Sequence, residues 1–174
     1  NPVSLADAIE CLPSQFKGVY VTPHCTRPAP HGAGLISRIK ASSRASDLIW
    51  CEGSVDEVLR DGDTVMGDNY AGLDCVLISS VEEGGPLVLL EAMACGVPVV
   101  MTPVGLKAEL EQQYGRLTVE IPHNADGDTI AKAILDAIHP LNRAAVDRAR
   151  ELMIYEFNSI RLRTDFEAMV VTAA

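Results

Sequence analysis

Residues 74–105 read D-C-V-L-I-S-S-V-E-E-G-G-P-L-V-L-L-E-A-M-A-C-G-V-P-V-V-M-T-P-V-G, and this stretch decides the fold. Cys75 to Ile78 is apolar without polar alternation, as in a strand covered on both faces. Pro86 to Cys95 has the character of an apolar helix, with proline in its first turn and Gly96 just past its end. Val97 to Met101 is a further strand. Two carboxylates, Glu83 and Glu91, stand on either side of the Gly84-Gly85-Pro86 turn with seven residues between them. A charge on so apolar a helix is costly unless something hydrogen-bonds it, so the pair points to a polar ligand.

Working outward, the same alternation continues. Leu5 to Leu12 reads as the end of an amphipathic helix stopped by Pro13. Gly18 to Thr22 is a strand, Pro23 to Gly34 a proline-rich loop, and Leu35 to Ala45 a helix with Arg38, Lys40 and Arg44 on its polar face. Leu48 to Cys51 is a strand. Ser54 can cap a short helix, with Glu57 completing a capping box. Asp61 to Asn69 is a polar loop. Lys107 to Gln113 is a helix ending near Gly115, and Leu117 to Ile121 a strand. Asp128 to Ile138 is a helix capped by Asp126 or Asp128 and stopped by Pro140. Leu141 to Phe157 and Ser159 to Val170 are the last helices. Strands alternating with helices predict an α/β fold: a Rossmann-like parallel sheet with helices on both faces, as one domain over residues 1–174. Ligands of such sheets bind beyond the carboxyl ends of the strands. The Ser79–Gly85 and Thr102–Gly105 loops should therefore line one crevice.

Composition narrows the function. Of 174 residues, 48% are hydrophobic and 22% charged, an ordinary globular balance. The net charge of −10 argues against nucleic acid, but a local nest or helix end can still take one small phosphorylated ligand. No apolar run approaches the roughly 20 residues of a membrane span, and no signal peptide is visible. The first residue is Asn1 rather than Met, so the chain is expected to be a processed or excised piece. Five cysteines, with no Cys-x-x-Cys pair and three of them (Cys51, Cys75 and Cys95) inside apolar segments, are expected to be buried free thiols of a reducing, cytoplasmic compartment. His24, Cys25 and His31 are close in sequence, but their spacing fits no zinc pattern and prolines interrupt it, so no metal is expected.

Gly84 and Gly85 let backbone approach a ligand closely. First-turn amides such as those of Gly85 and Leu87 point outward, and the helix dipole favours an anion there. Leu87 and Glu91 share a face, while Val88, Leu89, Ala92 and Met93 should face the core. Glu91, one turn deeper, suits a vicinal diol, since a carboxylate can accept two hydroxyl protons. A phosphate at the helix start with a diol near Glu91 describes a nucleoside diphosphate, and Glu83 would face whatever the distal phosphate carries. The same turn is also ordinary capping chemistry.

The run E-E-G-G-P-L-V-L-L-E-A-M-A-C-G-V-P-V-V over residues 82–100 resembles the signature of retaining, nucleotide-sugar-dependent GT-B glycosyltransferases of group 1, family 4. Val104-Gly105, Gly115-Arg116-Leu117 and A-R-E-L-M-I-Y-E-F-N (149–158) continue the likeness, and A-D-A-I-E-C-L-P (6–13) and L-I-W-C-E-G (48–53) extend it more weakly. The resemblance implies the C-terminal, donor-binding half of such an enzyme. Glu83 would be the catalytic-site residue holding hydroxyls of the transferred sugar. Gly84, Gly85, Pro86 and Leu87 would hold the diphosphate, Glu91 the ribose, and the region of Gly53 and Ser54 the base. It implies transfer without metal or other cofactor.

The resemblance also implies what this chain lacks. Aligned on these motifs, the given sequence is expected to start inside the helix after the first strand of the donor domain, so that strand, with the Arg and Lys that grip the diphosphate, and the family's N-terminal acceptor domain, with its usual catalytic histidine, are expected to lie outside it. A missing N-terminal domain or partner chain would supply them, and peripheral membrane association through that half is compatible. Lys17, Arg27 and Lys107 match no part of that motif and read as solvated surface charges. Ser79 stands where the family often has Pro, and Leu106 where a second Gly is frequent. Two alternatives stay open: a non-catalytic donor-binding or assembly subunit of a split transferase, and a nucleotide-sugar epimerase on the same fold.

Overall fold

The computed structural model describes residues 3–21, 37–51, 70 and 72–158. At its centre lie three parallel strands, β3 (Val76–Ile78), β4 (Val99–Met101) and β5 (Val119–Glu120), in that spatial order, with Val76 opposite Val99 and Val100 opposite Val119. Side chains alternate across the sheet. Val76, Ile78, Val99 and Met101 pack with Leu89, Ala92 and Met93 of helix α2 (Leu87–Ala94) and with Ala149, Leu152 and Met153 of helix α5 (Arg143–Tyr155). Val100 faces the other way, into a core built by helices α1 (Val3–Cys11) and α4 (Gly127–Ala137), with Cys75 and Leu77 beside it. Apolar groups on both faces explain the unbroken hydrophobic runs in these strands, and the α/β architecture with helices on both faces is the one expected.

A second parallel ladder joins β1 (Gly18–Val21) to β2 (Leu48–Cys51), with Gly18 opposite Leu48. Among the described residues no ladder connects it to β3. The core under α1 and α4 nevertheless includes Leu48, so both ladders share that side. The α1–α4 crossing is tight where Gly127 meets the Asp7 carbonyl, since a side chain on Gly127 would collide with that backbone.

Several boundaries move, each for a local reason. The last strand is shorter than Leu117 to Ile121 because the Leu117 and Thr118 amides donate to Glu111 Oε1, at 3.0 and 2.8 Å, rather than to a strand. The Leu35–Ala45 helix gives helical residues at 37–40, then turns and a 3-10 segment, Ala45–Asp47. Arg44 is thereby turned off the expected polar face. Its guanidinium donates to the carbonyls of Ile9, Leu12 (2.6 Å), Ser14 (3.2 Å) and Phe16 (2.9 Å), while Nε reaches Asp47 at 2.8 Å. It thus satisfies carbonyls that the end of α1 leaves without intrahelical donors. The cap of α4 is Asp126, whose Oδ1 accepts from Thr129 N at 2.8 Å. Pro140–Asn142 forms a 3-10 turn, so α5 starts at Arg143 rather than Leu141.

Lys107 is corrected outright. It opens helix α3 (Lys107–Tyr114), is 5% exposed, and bonds Glu111 at 2.5 Å and Glu120 at 2.8 Å. Its side chain has acceptors on two elements, which is why it is buried instead of solvated. The expected Pro23–Gly34 loop, Ser54 helix, Asp61–Asn69 loop and Ser159–Val170 helix lie outside the described residues. So do Arg27 and the His24, Cys25 and His31 group.

Candidate functional site

The loops after β3 and β4 come together as expected. Thr102, 1% exposed at the end of β4, donates its hydroxyl to the Ser80 carbonyl at 2.6 Å. Its amide donates to the Ile78 carbonyl at 3.0 Å. Gly105 has a φ of +58°, which brings it against the opposite loop. A Cβ there would lie 2.6 Å from Pro86 Cδ and 3.5 Å from the Glu83 carbonyl oxygen. Both loops therefore frame the start of α2.

That start is open. Pro86 is the residue just before α2, in extended conformation, rather than part of its first turn, and no side chain caps the helix. The Leu89 amide donates to the Pro86 carbonyl at 3.0 Å. The amides of Leu87 and Val88 come too early in the helix for an intrahelical acceptor and lie at its partly positive end. Gly84 and Gly85 are exposed. Nothing lies within 4 Å of a Cβ built on Gly84, and only the Leu106 side chain, at 3.6 Å, nears one on Gly85. Val88 departs from its expected core position. It is 44% exposed, while Leu89, Ala92 and Met93 are buried, because the first turn of α2 lies on the open side where the two loops meet. Leu87 is also exposed.

The two glutamates differ in surroundings. Glu83 is exposed at the mouth, where its Oε1 accepts from Ser80 Oγ at 2.7 Å. Glu91 is half-buried one turn along α2, and its Oε2 accepts from the Tyr70 hydroxyl at 2.8 Å. Burial, then the bond to Glu91, raise the Tyr70 phenol well above its ordinary value. Tyr70, Ser80 and Thr102 were not legible as site residues. Only Ser80 carried a usable signal, a hydroxyl three residues before Glu83. Gly53 and Ser54 lie outside the described residues, and Lys17 is exposed.

Cys11, Cys75 and Cys95 are free as expected, but Cys11 is exposed rather than buried, because it ends α1 at the surface, and the other two are half-buried. Burial pushes the Cys75 thiol up to about 12. Among the described residues no group of three or more His, Cys, Asp or Glu could hold a metal, and no helix is long and apolar enough to cross a membrane. A depression of about 390 Å³ lies at the other end of the strands, lined by Asp74, Gly96, Pro98, His139 and Arg143. It is remote from the converging loops, and parallel sheets of this kind bind ligands at the carboxyl ends of their strands.

These features define a class, a parallel α/β domain in which two strand-end loops meet at an uncapped helix start. The profile of the family described as Glycosyl transferases group 1 matches residues 40–139, and the chain belongs to that family. N-acetyl-alpha-D-glucosaminyl L-malate synthase of Bacillus anthracis is 35% identical over 108 residues, which is 59% of this chain and 28% of that protein. Anabaena Alr3699/HepE in complex with UDP superimposes with a TM-score of 0.73 at 18% identity, covering 97% of this chain and 44% of that one. The sucrose-phosphate synthase of Thermosynechococcus elongatus gives 0.73 at 20% identity, covering 99% and 43%. The chain thus spans less than half the length of each relative, and its fold is that of one half of a GT-B glycosyltransferase.

Proposed function

We propose that this chain is the donor-binding domain of a retaining, family-4 type glycosyltransferase, moving a sugar from a nucleotide diphosphate sugar to an acceptor held elsewhere. The observation that carries the reading is the open start of α2, framed by two strand-end loops, with Glu83 at its mouth and Glu91 one turn inside. The amides of Gly85 and Leu87 take the diphosphate, with Gly84 and Pro86 shaping the approach. Glu91 takes the ribose hydroxyls, Glu83 takes hydroxyls of the transferred sugar, and Gly53 and Ser54 flank the base. As the bond to the sugar breaks, negative charge grows on the leaving diphosphate, where the partly positive helix end stabilises it. A leaving phosphate oxygen then accepts the acceptor's proton. No step calls for a metal.

The relatives support this reading. The Anabaena protein was captured with UDP and with UDP-glucose, and each structural neighbour has a further stretch of more than half its length. The proposal places the acceptor site and the diphosphate-gripping cations in a facing N-terminal domain or a partner chain. Exposed Val81, Leu87, Val88 and Leu106 around the mouth favour such a facing surface. They give the split-transferase reading its support. The free thiols among the described residues fit a reducing cytoplasmic location.

Calorimetry with UDP, GDP and ADP tests the site. One of them should bind, weakly to this chain alone, and Glu91→Ala should weaken it markedly, leaving the residual affinity that the diphosphate contacts supply. Transfer should need the facing half, persist in EDTA, and keep the anomeric configuration by NMR of the product. Unchanged binding in Glu91→Ala would count against the reading.

A further inference from the structure

We propose that Tyr70 is a positioning residue for the nucleoside's ribose, acting through Glu91; the inference rests on the reading of Glu91 as the ribose ligand. Glutamate on a half-exposed helix face samples many rotamers, and a carboxylate that must meet two hydroxyls at once needs one of them. The Tyr70 hydroxyl selects it, reaching Glu91 Oε2 at 2.8 Å. The tyrosine itself is held. It is 8% exposed within the core cluster that contains Leu89 and Met93 of α2, and its carbonyl accepts from Leu73 N at 3.0 Å. Its ring thus moves with the same packed face that carries α2.

The bond occupies one oxygen, and among the described residues no hydrogen bond to Oε1 is found. A carboxylate has about four lone-pair sites. One tyrosine donor therefore leaves acceptor capacity for a vicinal pair of hydroxyls while fixing the plane in which they must arrive. The competing account makes Glu91 merely the acceptor that a buried phenol requires. The two accounts differ in one measurable respect. A positioning role acts only on ligands that carry the ribose hydroxyls, whereas a packing role acts on every ligand or on stability alone.

The experiment uses the full-length protein and isothermal calorimetry. UDP, GDP and ADP identify the nucleoside diphosphate that the wild type holds, and that nucleotide is compared with its 2′,3′-dideoxy counterpart. Tyr70→Phe should weaken the ribonucleotide roughly tenfold, the equivalent of restoring one side chain's rotamer freedom, and leave the dideoxy form unchanged. In a Glu91→Ala background Tyr70→Phe should have no further effect, and this second variant also removes the carboxylate that Phe would leave without its donor. Equal weakening of both nucleotides, no change, or tighter ribonucleotide binding overturns the inference. A wild type that ignores the ribose hydroxyls, or binds none of the three, removes the reading of Glu91 and this inference with it. Discrimination lost in Glu91→Ala but kept in Tyr70→Phe removes this inference alone.

Discussion

Replacing Gly105 by alanine separates two costs that the structure keeps distinct. The first is conformational. With φ at +58° an alanine is strained by about 1–2 kcal/mol. The second is steric, since the new methyl would sit 2.6 Å from Pro86 Cδ. That atom belongs to a ring fused to the backbone, so the loop or the start of α2 must move. Overpacking of this kind costs about 1–3 kcal/mol, for a total of about 2–5 kcal/mol. Gly96 is the control. Its φ is +70°, but a methyl there would meet only the flexible Arg150 side chain, at 3.2 Å. Gly96→Ala should cost about 1–2 kcal/mol, or about 2–8 °C in Tm, and Gly105→Ala about 4–20 °C. Thermal unfolding followed by circular dichroism reads both. Calorimetric titration with the bound nucleotide adds a second criterion, because only Gly105→Ala displaces the mouth of the site and should weaken binding. Equal losses of Tm, or wild-type binding in Gly105→Ala, would refute the argument.

The ion cluster around buried Lys107 predicts a pH response. Burial raises the Glu111 value, but the bonds from Lys107, Leu117 and Thr118 outweigh it and hold it below 4.5. Its stabilisation is present above that pH and is lost as pH falls through the depressed value; Glu111→Gln should flatten the acid limb of a Tm–pH curve. Burial lowers Lys107, yet its two carboxylates hold it above 10.5, so its share is full below that pH and vanishes only as pH rises beyond it. Lys107→Met should strand Glu111 and cost about 2–4 kcal/mol in urea unfolding. Arg44→Lys should lose about 2 kcal/mol by the same measure, since an ammonium cannot reproduce the planar fork that serves the end of α1. In native thiol titration Cys11→Ser should remove one fast-reacting group, whereas Cys75→Ser should leave the count unchanged.

The sequence made the central strands legible because residues such as Val76, Val99 and Met101 are buried on a sheet covered from both sides, which leaves runs without polar interruption. It also located the crevice, since the loops after two consecutive parallel strands must emerge at the same end. What it concealed were polar side chains whose partners are distant in the chain. Lys107 looks like any exposed lysine until Glu120 is brought to it, and Arg44 like a helix-surface charge until the end of α1 lies beneath it. Tyr70 is found only through a bond spanning 21 positions. Val88 was misassigned for a different reason: helical periodicity gives direction around an axis but not how far the packed face extends along it.

The Arg44 clasp has a consequence for how the chain opens. One guanidinium ties the tail of α1 to the residues leading into β2, contacts separated by 28 to 35 positions. If the two separate, the carbonyls at the end of α1 lose their donors and Arg44 its acceptors. The first helix and the approach to the second strand should therefore exchange their amide hydrogens as a single cooperative unit, with α1 gaining its protection only once β2 is in place.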